Sequence, residues 1–251
     1  MEYPWVLRRL KDFCTRGARV LDVGCAESIL SHKLVSMGYE VWGIDINAYP
    51  LKPRQVIFIR RDVRNTGLPN NFFDAVICVS TIEHIGLPVY GQEALDPEGD
   101  VKAIRELWRI LKPGGYLFLT TPFASHTFRI VLGAIPERQY DLNRLMNLTR
   151  SFDVIVMDLY IPVRKGRRIV WINVPSEAAK RVITKPDKPG LACLVLKKRH
   201  YKGKFSRIRI LKNDQPHHAM VRCKAFKCDR LNAARGRSLH GIRCLPAGPR
   251  V

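Results

Sequence analysis

Apolar and polar positions along this chain follow two alternating periods. Short, nearly continuous apolar runs occur at Arg19–Val23, Tyr39–Ile46, Gln55–Arg60, Phe72–Ser80 and Tyr116–Thr121. Such runs mark strands buried on both faces of a parallel sheet. Between them the spacing becomes helical. Glu27–Met37 sets Ile29, Leu30, Leu34 and Val35 on one side, and Val101–Leu111 does the same with Ile104, Leu107, Trp108 and Leu111. Trp5, Val6, Leu10 and Phe13 predict a short leading helix, stopped at Gly17. Lys112-Pro113-Gly114-Gly115 ends the long helix. Further on, the pattern predicts a helix over Asp141–Thr149, a sixth strand over Phe152–Ile161 and a seventh over Leu191–Lys197. Strand and helix in alternation predict an α/β fold, a Rossmann-like doubly wound sheet of seven strands, mostly parallel.

Past about residue 198 the periodicity dissolves, apart from a possible strand at Ser206–Leu211. The expected division is a domain over 1–198 and a basic, disordered tail over 199–251. Charge sharpens that boundary. The formal net charge is +21, and Lys197–Val251 carries 16 Lys and Arg against Asp214 and Asp229, roughly two thirds of the excess. A hydrophobic share of 46% is ample for a core in the rest. No apolar run is long enough for a transmembrane helix, and Met1–Cys14 lacks the apolar block of a signal peptide, so a cytoplasmic location is expected. The seven cysteines are then expected to be reduced, with Cys25 and Cys78 in the core.

Open α/β sheets bind ligands outside the carboxyl ends of their strands. Three carboxylates stand there: Asp22 near the end of the first strand, Asp45 at the second and Asp62 just past the third. One such carboxylate is ordinarily a loop residue or a cap; three in register with a glycine turn form a candidate site. The turn is Asp22-Val23-Gly24-Cys25-Ala26-Glu27-Ser28. Gly24 lets a ligand approach the backbone. Ala26 and Ser28 stand where a dinucleotide fold needs further glycines against its pyrophosphate. A phosphate-free cofactor such as S-adenosylmethionine tolerates the weaker loop. Its ammonium would be attracted by Asp22 and its ribose hydroxyls would donate to Asp45. Its adenine amine would donate to Asp62, and the Val63 N–H faces the ring.

Taken in order, Val20-Leu21-Asp22-Val23-Gly24-Cys25, Gly43-Ile44-Asp45, Asp62-Val63, Phe73-Asp74-Ala75-Val76, Ile82-Glu83-His84-Ile85 and Leu111-Lys112-Pro113-Gly114-Gly115 resemble the class I methyltransferases of the quinone-biosynthesis-like type 11 group. The resemblance covers about residues 18–122 and departs from the pattern at Ala26 and Ser28. It implies S-adenosylmethionine as cofactor and an antiparallel last strand. The implied cofactor residues are Asp22, Gly24, Cys25, Ala26, Asp45, Ile46, Asp62, Val63 and Ser80. No metal is expected in this domain. Tyr90-Gly91, Asp96-Pro97, Gly99-Asp100, Leu107-Trp108-Arg109 and Arg138-Gln139-Tyr140 more loosely resemble methyltransferases of surface-glycan or other secondary pathways.

The reaction expected is O- or N-methylation of a small-molecule or glycan-related acceptor. The sulfonium is already an activated leaving group, so the protein mainly positions the acceptor and excludes water. A base helps where the nucleophile carries a proton. In such folds the segment Ser80-Thr81-Ile82-Glu83-His84 lies beside the methyl group. His84 is the candidate base; the alternative is that it packs under the following loop while Glu83 caps or pairs. Glu83, Tyr90 and Tyr140 are candidates for the acceptor pocket. The tail allows three readings: an extension without chemistry, a contact for nucleic acid or an anionic surface, or a zinc site from Cys223, Cys228, His240 and Cys244. Two other functional classes stay open: an RNA or protein methyltransferase that uses the tail as an arm, and a binding module without turnover.

Overall fold

A computed structural model describes residues 1–92, 94–124, 128–131, 135–179 and 189–199. In chain order the elements are α1 (Glu2–Phe13), β1 (Arg19–Val23), α2 (Leu30–Ser36), β2 (Glu40–Asp45), β3 (Ile57–Arg60), β4 (Phe73–Val79), α3 (Gly99–Ile110), β5 (Leu111–Phe123), β6 (Phe128–Val131), β7 (Glu137–Gln139), α4 (Leu142–Leu148), β8 (Phe152–Lys165), β9 (Arg168–Val174), α5 (Ser176–Ala179) and β10 (Gly190–Lys198). The main sheet runs β3-β2-β1-β4-β5-β10-β8-β9, and β6 and β7 form a small separate pair. The pairs from β3 to β5 are parallel. β10 is antiparallel to both β5 and β8, so β8 runs in the direction of β5.

The order reverses between β1 and β4, which opens a crevice at their carboxyl ends. Core packs on both faces of the sheet. One side joins Val76, Cys78, Leu117 and Leu119 with Ile104, Leu107 and Ile110 of α3. The other joins Val20, Ile77 and Phe118 with Trp5, Val6 and Leu10 of α1 and with Leu30 and Leu34 of α2. Burial on both faces explains the unbroken apolar runs of β1 and β4.

Several boundaries differ from the expected ones. The sheet has eight strands, not seven, because Arg168–Val174 adds a strand antiparallel to β8. Most of β9 is solvent-exposed, so no core face imprints a period on it. Gly166, at φ 60°, makes the turn between β8 and β9. The second helix begins at Leu30 rather than Glu27, because Cys25–Ile29 is spent on the loop beneath the crevice. The Ser28 hydroxyl accepts the Leu30 N–H at 2.9 Å, a local turn just ahead of that helix. β5 takes in Lys112-Pro113-Gly114-Gly115, expected as a loop. Four described cysteines, Cys14, Cys25, Cys78 and Cys193, are free thiols. No described helix is long and apolar enough to cross a membrane. The expected tail, with its zinc and nucleic-acid readings and the strand at Ser206–Leu211, lies outside the described residues apart from Arg199. Arg199 pairs with Asp153 at 2.8 Å.

Candidate active site

A cavity of about 340 Å³ occupies the crevice. It is lined by Gly24, Ala26, Asp45, Ile46, Asp62 and Val63 from the loops after β1, β2 and β3, which we call the cofactor end, and by Ser80, Thr81, His84 and Tyr90 from the chain after β4. The two sets meet where Gly24 abuts Thr81 and Asn47 donates to the Tyr90 carbonyl at 3.2 Å. Gly24 sits at φ 74°, where a Cβ would meet Thr81 Oγ1 at 2.5 Å, so only glycine fits between the first loop and the segment after β4. Asp45 is fixed by two backbone donors: Oδ2 accepts from Ala26 N–H at 3.0 Å and Oδ1 from Asn47 N–H at 2.8 Å. A carboxylate oxygen has two lone pairs, so each retains capacity for a ligand hydroxyl. That half-used, cavity-lining carboxylate beside a bare glycine fits the ribose of the cofactor implied by the sequence.

Asp62 also lines the cavity, but it is heavily used. It accepts the Arg64 N–H at 2.7 Å and is gripped by the Arg64 guanidinium at 2.6 Å. Burial works against its ionisation, but the Arg64 hydrogen bonds prevail and hold the carboxyl below its usual range. It is therefore an ionised acceptor at the rim. The second Arg64 nitrogen reaches Asp96 at 3.0 Å, tying this end to the loop before α3.

Asp22 and Cys25 are not in the cavity wall. Asp22 is 2% exposed and accepts from Ser31 Oγ at 2.7 Å. Burial drives its carboxyl up to about 7, against the Ser31 hydrogen bond and with repulsion from Asp45 adding to the rise. Cys25 turns away onto β2, where a Cβ at Gly43 would meet its sulfur at 2.7 Å. Ser28, at a departure from the glycine pattern, has work of its own: its hydroxyl also accepts from Tyr3 at 3.0 Å. That bond ties α1 to the loop.

At the other end, His84 Nδ1 lies 2.8 Å from the Pro136 carbonyl. A carbonyl only accepts, so Nδ1 carries the proton, and the neutral ring has its lone pair on Nε2. Tyr90 packs edge-on to the imidazole at 5.3 Å between centroids and has φ 54°. Gln92 holds the turn, donating to the His84 carbonyl at 2.9 Å and accepting from Gly86 N–H at 2.6 Å. Ser80, at φ 41°, donates to Glu2 at 2.6 Å.

Glu83 and Tyr140 are buried behind this end and do not line the cavity. Burial, with Glu2 and Glu137 nearby, pushes the Glu83 carboxyl well up, and Thr121 donates to it at 3.2 Å. Tyr140 donates to Asp100 at 3.2 Å. Arg138 lies beside them, also buried. It donates to the carbonyls of Ile85 at 2.6 Å and Asp96 at 3.0 Å, and its Nε is 4.0 Å from Asp100. One guanidinium therefore fastens both ends of the loop that carries Tyr90. Glu2, Tyr3, Asn47, Arg61, Thr81 and Gln92 also line the cavity and were not picked out from sequence. The polar first turn of α1, Glu2-Tyr3, was the available signal for two of them.

Comparison with known proteins agrees with this geometry. Residues 21–119 match the family described as "Methyltransferase domain". The chain is 31% identical over 177 residues to the ubiquinone biosynthesis O-methyltransferase of Pseudomonas entomophila, covering 66% of this chain and 67% of that one. It is 30% identical over 151 residues to the enzyme of the same name from Chromobacterium violaceum, covering 54% of this chain and 57% of the relative. For the same-named Proteus mirabilis enzyme the identity is 30% over 180 residues, covering 66% and 64%. The chain thus spans less than two thirds of the length of these last two relatives. Among solved structures, a SAM-dependent methyltransferase from Archaeoglobus fulgidus shares the fold at TM-score 0.56 and 18% identity, covering 78% of this chain and 94% of that one. The Burkholderia thailandensis 1,6-didemethyltoxoflavin-N1-methyltransferase, solved with bound 1,6-didemethyltoxoflavin and S-adenosylhomocysteine, does so at TM-score 0.55 and 15% identity, covering 79% and 77%. The ordered motifs, the crevice between β1 and β4 and these relatives place the chain in the class I S-adenosylmethionine-dependent methyltransferases of the type 11 group.

Proposed function

We propose that this chain methylates the hydroxyl of a small-molecule or glycan-related acceptor, using S-adenosylmethionine. The observation that carries the reading is that one cavity joins the Gly24–Asp45–Asp62 end to His84 and Tyr90. When bound, S-adenosylmethionine supplies a methyl group on an activated sulfonium. Asp45 accepts from the ribose hydroxyls, Asp62 from the adenine amine, and Val63 offers its N–H. Gly24 and Ala26 give close backbone approach, while Ile46 and Ser80 complete the walls. Asp22 lies behind the loop, outside the cavity wall, where burial favours its protonated form and a nearby cofactor cation would favour ionisation.

His84 receives the acceptor proton at Nε2, because the Pro136 carbonyl keeps the proton on Nδ1. A base of that kind favours an acceptor with a proton to lose, hence a hydroxyl. The Pseudomonas entomophila relative carries the name of an O-methyltransferase, which supports the same choice. Tyr90 meets the imidazole edge-on and forms the acceptor wall, and Glu83 and Tyr140 support that wall from the core.

The test has two stages. Calorimetric titration with S-adenosylhomocysteine is expected to show one site per chain. Isotope-labelled methyl transfer is then measured over phenols, catechols and sugar hydroxyls. Absence of cofactor binding overturns the reading entirely. Binding with transfer only to amines, or only to RNA or protein, overturns the acceptor class.

A further inference from the structure

The hairpin of β8 and β9 is outside the site described above. β10 pairs with β8 only as far as Tyr160. From Ile161 to Lys165, β8 pairs with β9 alone among the described strands. β8 runs with β5, so this free stretch leaves the sheet at its carboxyl edge, the edge at which the cavity opens. At about 3.3 Å per residue the ribbon extends roughly 15 Å past the last β10 pairing.

Both faces of the ribbon are apolar. Ile169 and Trp171 lie on one face with Pro162, and Val170 and Ile172 on the other with Val163. Ile169 is 67% exposed, Trp171 40% and Ile172 38%. Natural sheets usually blunt an edge strand with charges along its length. Here the charges gather at the tip instead. Arg164, Lys165, Arg167 and Arg168 are all exposed, and none has a carboxylate partner among the described residues.

We propose that this hairpin is an arm that docks the protein on an anionic lipid bilayer. Exposed isoleucines with a tryptophan suit the boundary between headgroups and acyl chains, and a cationic tip suits an anionic leaflet. A nucleic acid would match the cations but leave the isoleucines in water. A second copy, paired through β9, would cover the isoleucines but leave four cations unmatched. The bilayer satisfies both sets at once, and docking turns the cavity mouth toward the membrane. The inference does not depend on the reaction proposed for the cavity.

Full-length protein is sedimented with phosphatidylcholine vesicles, with and without phosphatidylglycerol. Binding is expected only with the anionic lipid and is expected to weaken with salt. Replacing Arg164, Arg167 and Arg168 by Ser is expected to weaken partition roughly a hundredfold. Brominated lipid is expected to quench the wild type and to lose most of that quenching in Trp171→Phe. All these positions are exposed, so the melting temperature should hold and serves as the folding control. Three results overturn the proposal: no vesicle binding, binding that the hairpin variants leave unchanged, or hairpin variants that abolish only RNA binding or only a concentration-dependent dimer.

Discussion

The two ends of the cavity are built by different means. At the cofactor end each group follows directly from the strand that presents it: Gly24 and Ala26 from β1, Asp45 from β2, and Asp62 just past β3. Backbone N–H groups within a few residues, or on the neighbouring loop, fix the carboxylates. At the acceptor end His84 is held by the carbonyl of Pro136, 52 residues away, and its loop by Arg138. The first end depends mainly on short turns, with Arg64 bridging Asp62 to Asp96, and the second on a buried ionic framework assembled from distant segments. Damage should therefore stay local at the first end and spread at the second.

The largest expected effect is on catalysis. His84→Ala should lower turnover about 10²–10⁴-fold with cofactor affinity nearly unchanged. Equal losses in binding and rate would show that the two ends are not separable. Next is the framework itself. Arg138→Met leaves the Ile85 carbonyl without its donor, leaves the Asp96 carbonyl with the Gly99 N–H alone, and weakens the compensation of Asp100. Removing one partner from such a buried network costs about 3–5 kcal/mol. Chemical denaturation should show that loss, and the surviving folded fraction should still bind S-adenosylhomocysteine.

Asp22 supplies a pH test of the cofactor end. Its native carboxyl titrates at about 7, against an ordinary 3.8. The native state thus holds this proton when the unfolded chain has released it. The stabilisation is complete below about pH 4 and is lost as pH rises toward 7, on the order of 4 kcal/mol in all. Asp22→Asn should flatten this part of the stability profile, and a profile identical to the wild type would refute the assignment. The smallest effect is expected at Asp45. Loss of a charged acceptor is worth about 1.5–3 kcal/mol, so Asp45→Ala should weaken cofactor binding tenfold to a hundredfold. Unchanged calorimetric affinity in the folded variant would remove Asp45 from the site.

The difference between the ends also sets what could be read without coordinates. Asp45 and Asp62 were legible because a parallel strand must end where its apolar run ends, and the next polar residue then faces the crevice. Asp22 belongs to the same pattern, yet its side chain turns inward to Ser31. Strand alternation could have flagged this only with a known register. Glu83 and Tyr140 were picked out for their chemistry and stand behind the wall, where they carry the loop instead of lining the pocket. The Glu2–Ser80 contact and the Arg138 clamp join segments far apart in the chain, which no local pattern records.

What the sequence determined by itself was the alternation of most strands and helices, the carboxylates at the strand ends and the family. All of these rest on short-range periodicity and on motifs of a few residues. Tertiary structure alone decided the eighth strand, whose exposed residues answer to no core, and the tautomer of His84, which a distant carbonyl dictates. It also decided which buried groups the acceptor loop hangs on. Those features depend on contacts across the fold, and a contact between distant residues leaves no period in the chain.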